Sequence, residues 1–130
     1  MFYFKEGKDI SCHFALEQQT FTAIDRFIQH EKSKYHIEAL EELQVFAISH
    51  DDLELLFNKH PKHEQFDRLF LQYILIDLVE RIDDLQLYSA QERYDILLSK
   101  NPKPFKPVAS KHIATYLGMT PKTFSRIKGK

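Results

Sequence analysis

Ser110-Lys111-His112-Ile113-Ala114-Thr115-Tyr116-Leu117-Gly118-Met119-Thr120-Pro121-Lys122-Thr123-Phe124-Ser125-Arg126-Ile127 is the stretch whose landmarks each have a steric reason. Two short helices crossing at a steep angle need a small residue at their contact, here Ala114, and a residue tolerant of positive φ at the turn, here Gly118. Thr120 has the hydroxyl to cap a second helix, and Pro121 suits its first position, where no N–H is required. Ile113, Leu117, Met119, Phe124 and Ile127 are left to fill a small core between the helices. Thr120, Lys122, Thr123, Ser125 and Arg126 remain for the outside. An ordinary helical hairpin would explain the core but not the basic groups on the second helix, so the pattern is that of a helix-turn-helix.

Charge is segregated around this stretch. The net charge of −1 conceals that all 19 acidic residues lie at or before Asp95. Lys100, Lys103, Lys106, Lys111, Lys122, Arg126, Lys128 and Lys130 follow with no acidic residue among them, and this end of the molecule is expected to meet a polyanion.

Working back toward the start, Pro102, Pro104 and Pro107 mark a linker, and Ser89 with Glu92 forms a capping box for a helix through Leu97 and Leu98. From Pro61 to about Tyr88 there is no glycine or further proline. Leu71, Leu75, Leu78, Ile82 and Leu85 recur there in a 4-3-4-3 spacing, the seam of a two-stranded coil. Phe66, Leu69, Tyr73 and Ile76 form a second stripe, so this helix is expected to pack on two partners at once. Ser49 and Asp52 are placed to open a helix carrying Leu53, Leu55, Leu56 and Phe57.

The first 48 residues read as β. Phe2, Phe4 and then Ile10, Cys12, Phe14 alternate with polar residues around Glu6-Gly7-Lys8, as two strands and a turn would. Tyr35, Ile37 and Ala39 alternate before Glu41-Glu42, and Val45-Phe46-Ala47-Ile48 follows, predicting a second pair. The chain begins almost inside its first strand, so an N-terminal part of the β-domain is expected to be missing. Cys12 is the only cysteine, which excludes an intramolecular disulfide and a thiolate zinc site within one chain, and it reads as a small core residue. The longest mostly apolar run, Leu69 to Val79, is broken by Gln72 and Asp77 and is shorter than the ~20 residues that span a bilayer. A cytoplasmic protein with no membrane contact is expected.

With those motifs in view, the chain resembles the Crp/Fnr family of bacterial transcription regulators over nearly all of its length. The order of elements agrees: β-roll strands, a short helix after Ile48-Ser49, a long dimerisation helix and a helix-turn-helix. The resemblance implies an α+β fold in three parts. Residues 1–60 would be a partial antiparallel β-roll of the cyclic-nucleotide-binding type, 61–88 a dimerisation helix, and 89–130 an all-α helix-turn-helix domain. It implies double-stranded DNA and a second copy of the chain as partners, leaves room for a small-molecule effector of unspecified chemistry, and involves no catalysis. The DNA-facing residues would be Lys111, Thr120, Lys122, Thr123, Ser125, Arg126 and Lys128. Lys122 and Arg126 would read bases, since Pro121 cannot, and Thr120, Thr123 and Ser125 would hold phosphates. Leu71, Leu75, Leu78, Ile82 and Leu85 would form the dimer seam.

Departures from the family pattern narrow this. Members that bind cyclic AMP carry a Gly-Glu-Leu segment and, after a short helix, an Arg-Ser or Arg-Thr pair. Here Thr22-Ala23-Ile24 and Ser33-Lys34 stand in those places, so the ribose and phosphate of a cyclic nucleotide have no matching groups, with Lys34 the one cation nearby. The first β-roll strands and the C-terminal wing have no counterpart. A rival from another class is a dimeric sensor or protein-interaction module that has lost specific DNA binding.

No enzyme motif or cofactor site is legible. His60 and His63 are spaced as a metal pair but are split from a helical face by Pro61 and lack a third ligand, so no metal site is assigned. Glu41-Glu42, Asp51-Asp52 and Asp83-Asp84 are sequence neighbours that splay apart, which suits turns and caps rather than paired acid–base chemistry.

Overall fold

The computed structural model describes residues 1–60, 62–100 and 108–129, with the side chain of His63 also outside the description. Pro61 and the linker prolines Pro102, Pro104 and Pro107 therefore lie outside the described residues. Among these, the chain is α+β: one two-stranded antiparallel sheet and six helices.

Strands β1 (Phe2–Lys5) and β2 (Lys8–Ser11) are joined through Glu6 and Gly7, which take φ of 51° and 73°. Positive φ at both central residues is what a two-residue hairpin loop requires to match strand twist. Tyr3 pairs with Ile10 and Phe4 with Asp9. Cross-strand partners share a face, so Phe2 and Phe4 lie on one side of the hairpin and Ile10 on the other.

The expected second strand pair does not form. His36 makes an isolated bridge to the free side of β1, with Phe2 N–H donating to its carbonyl at 2.9 Å and its own N–H donating to Phe2 at 2.7 Å. The His36 ring stacks on Phe2 at 5.4 Å and meets Phe4 edge-on at 5.0 Å, which supports that contact. Val45-Phe46-Ala47-Ile48 joins no ladder, and the Phe46 ring is fully exposed. An alternating sequence favours a strand only against a sheet that covers one of its faces, and a lone hairpin offers too little.

Helix α1 (Ile24–Gln29) starts at Ala23 without a side-chain cap and ends at His30, a left-handed residue whose N–H donates to Arg26. Helix α2 (His50–Lys59) opens as its sequence predicts, with Ser49 Oγ accepting from Asp52 N–H at 3.1 Å. It packs against α3 (Lys62–Leu87), the longest helix at 26 residues, or about 39 Å of rise. The capping box forms at α4 (Ala90–Lys100): Ser89 N–H donates to the Glu92 carboxylate at 2.8 Å and Glu92 N–H to Ser89 Oγ at 3.4 Å.

The core sits at the far end. Helices α5 (Ser110–Tyr116) and α6 (Pro121–Lys128) bury Ile113, Ala114, Leu117, Phe124 and Ile127, and Leu97 of α4 joins them. Tyr94 meets the Phe124 ring edge-on at 5.4 Å. The hairpin lies against α5. Ser11 N–H donates to Thr115 Oγ1 at 3.1 Å, and the buried Ser11 hydroxyl is 3.3 Å from His112 Nδ1. Phe14 meets the Tyr116 ring at 5.0 Å, while Arg81 of α3 covers that ring and donates to the Tyr116 carbonyl. Cys12 is half-buried, its thiol donating to the Met1 carbonyl at 3.3 Å, and burial holds the thiol above its ordinary value. That favours the protonated, unreactive form. No helix among the described residues is long and apolar enough to cross a membrane.

His13 lies beside these contacts, and burial holds its imidazole below the ordinary value near 6.5. Asp77 opposes that shift, while the N-terminal ammonium and Arg81 add to it. The unfolded chain therefore binds more protons than the folded one between the two values. The stabilisation is complete above about pH 6.5 and is lost as pH falls through the lowered value. Urea midpoints should drop between pH 7 and pH 5, and His13→Gln should flatten that drop. An unchanged pH slope in the variant would contradict this.

Candidate functional site

The site is built on the turn between α5 and α6. Gly118 follows the last turn of α5 with φ of 65°, its N–H donating to Thr115 and the next N–H, of Met119, donating to Ala114. This is the hydrogen-bond pattern by which a left-handed glycine ends a helix and satisfies its last carbonyls. A Cβ at Gly118 would stand 2.8 Å from Leu85 Cδ2, so the end of α3 presses on the same turn.

Thr120 then opens α6. Its Oγ1 accepts from Thr123 N–H at 3.1 Å and lies 2.9 Å from Thr123 Oγ1, with Pro121 in the first turn. Both threonine hydroxyls are thus committed to the cap, though each has further lone-pair capacity. Phe124 and Ile127 point into the core, which leaves Lys122, Ser125 and Arg126, spaced i, i+3, i+4, on the exposed side. Lys128 is exposed on the flank at the C-terminal end. Over its eight residues the helix is about 12 Å long and carries three cations and no carboxylate.

The other residues named from the sequence are placed differently. Lys111 is exposed at the start of α5, but its Nζ is 3.6 Å from the Asp9 carboxylate of β2. An exposed pair of this kind is worth little, and it leaves Lys111 able to change partners. Lys34 lies over the rings of Tyr3 and Tyr35, at 5.8 and 5.3 Å, so the one cation near the cyclic-nucleotide position is engaged with aromatic faces. On α3, the five seam residues are between 38% and 61% exposed, and Phe66, Leu69, Tyr73 and Ile76 are also exposed. Leu85 differs from the rest of the seam because its methyl approaches Gly118 within the same chain.

Two features had no sequence signal. Tyr116 links Phe14, Arg81 and the α5 backbone, a convergence of residues far apart in sequence. Burial raises the Tyr116 hydroxyl above its ordinary value, and Arg81 opposes the rise, so the ring stays neutral. The second is His30, His50 and Asp51, whose ligand atoms lie within 4.8 Å of one another although 20 residues separate the first two.

Comparison with protein-family models, with curated proteins and with solved structures finds no match to this chain.

Removal of the Thr120 hydroxyl leaves an N–H of the first turn unsatisfied. Thr120→Ala should lower stability by about 0.5–2 kcal/mol, and Thr120→Ser should restore most of it, as read from urea midpoints. Equal midpoints for Thr120→Ala and the parent would show that the cap contributes nothing.

Proposed function

We propose that the chain is a sequence-specific DNA-binding transcription regulator of the Crp/Fnr type, acting as a homodimer and not responding to cyclic AMP. The observation that carries this reading is the two-sided character of α6. Phe124 and Ile127 anchor one side in the core, while Lys122, Ser125 and Arg126 stand together on the other with no acidic neighbour on the helix. A helix so fixed presents rigid donors to a major groove about 12 Å wide. The α5–turn–α6 unit then acts as a helix-turn-helix with α6 as its reading helix. Arg126 supplies a planar, bidentate donor for a guanine edge, and Lys122 a second base contact one turn earlier. Ser125, Thr120 and Thr123 reach phosphates beside the helix start, with Lys128 and Lys111 at its margins.

Residues 1–60 hold a two-stranded hairpin with α1 and α2 in place of a β-roll, and any effector bound by this part is not a cyclic nucleotide. Dimerisation follows from α3. Its seam is exposed along most of the helix, and apolar surface of that extent on a soluble chain marks an interaction face. Two such helices in parallel would place two copies of α6 for half-sites about 34–36 Å apart. The same seam favours the second reading, a dimeric interaction module without specific DNA binding, and Pro121 at a base-reading position suits it too.

Binding-site selection separates the roles on α6. Arg126→Ala should relax preference at one base pair in each half-site, costing about 1–3 kcal/mol there, whereas Lys128→Ala should weaken all sequences alike. If Arg126→Ala returns the parent motif with uniformly lower affinity, Arg126 is a phosphate contact.

On α3, Leu78→Asp would bury a carboxylate without a partner at the seam, at a cost of several kcal/mol. The variant should sediment as a monomer. A stable dimer would place the interface elsewhere.

A further inference from the structure

We propose that His30, His50 and Asp51 form a binding site for a divalent first-row transition-metal ion, joining the end of α1 to the start of α2. The proposal stands independently of the DNA-binding reading. Each of the three offers one ligand atom, and these atoms lie within 4.8 Å of one another. On a tetrahedral ion with bonds near 2.0–2.1 Å, ligand atoms are about 3.3–3.4 Å apart, so closure needs only side-chain rotation. Two imidazoles and a carboxylate select zinc-like ions over calcium or magnesium, which take mainly oxygen ligands. Three protein ligands leave a further position for water.

Two other observations converge on the same place. His50 Nδ1 is buried yet has no hydrogen-bond partner, and an unsatisfied buried nitrogen is costly until something meets it. His30 holds a left-handed backbone with φ of 54°, a conformation unusual for a residue with a side chain, and it brings the two imidazole rings to 3.9 Å between centroids. Phe27 also packs against His50, at 5.3 Å between ring centroids. His30 and Asp51 are exposed, which gives an ion a path in.

The start of a helix repels a cation, but only modestly at a surface position. Asp51 and Asp52 both lie in that first turn and counter it. An ion here would tie the end of α1 to α2, the helix that packs on α3.

Titration calorimetry of the full chain with Zn2+ alone should show one saturable site per chain, and Co2+ should give visible absorption bands of a nitrogen- and oxygen-ligated ion. His30→Asn, which keeps a residue tolerant of the left-handed backbone, and His50→Gln should each weaken Zn2+ at least about a hundred-fold, since loss of outer-shell partners alone costs 10–100-fold. Both should abolish the Co2+ bands. Asp51→Asn, at an exposed position, should weaken Zn2+ at least about ten-fold without disturbing a packed ring, and it decides the matter if either histidine variant fails to fold. His60→Gln should bind as the parent does. Absence of a saturable site, or affinity and Co2+ bands unchanged in the folded variants, would overturn the proposal and leave the two rings as a packing contact.

Discussion

The close approach of α5 and α6 is the constraint from which the rest of the structure follows. Ala114 is fully buried and Phe124 almost so, both in one core cluster, where a small side chain on the first helix leaves room for the aromatic ring of the second. Truncating a buried Phe to Ala typically costs about 3–5 kcal/mol. That is a large fraction of the stability available to a chain with so few fully buried residues. Tyr94 and Leu97 of α4 close the same core, so α4, α5 and α6 share one set of apolar contacts. The outward position of Lys122, Ser125 and Arg126 is a consequence of that packing.

The second organising contact is on the opposite side of α5. The hairpin reaches it through Ser11 and Phe14, and α3 reaches it through Arg81, with the last two converging on Tyr116. Leu85 touches the turn at Gly118. The β-hairpin and the long helix thus both bear on the short helix that shares its core with α6. Helix α3 also reaches α6 through α4, where Arg93 donates to the Leu85 carbonyl, Lys100 pairs with Glu80 and Tyr94 meets Phe124.

Where local chemistry decides an element, its outline was legible in the sequence. Ser49 with Asp52, Ser89 with Glu92 and Thr120 with Thr123 sit at helix starts because each side chain satisfies an N–H three residues on. Gly118 and the Glu6-Gly7 turn are fixed by positive φ. Tertiary pairing was less legible. Tyr35 to Ala39 alternate like a strand and Val45 to Ile48 form a β-rich run, yet a strand exists only where a sheet receives it, and among the described residues the free side of β1 pairs only with His36. Helix α1 lacks a side-chain cap to announce it. The Tyr116 contacts and the His30, His50 and Asp51 cluster join residues from distant parts of the chain, for which no spacing rule exists.

If α6 reads DNA, affinity and sequence preference must rise from the same few exposed groups, and salt distinguishes them from a merely basic tail. Gel-shift selection of the full chain against a random duplex pool, repeated across a salt titration, tests this most directly. The account predicts enrichment of a two-fold symmetric motif with half-sites about one helical turn apart, retained at physiological salt. Retention that collapses with added salt and enriches no sequence would contradict it.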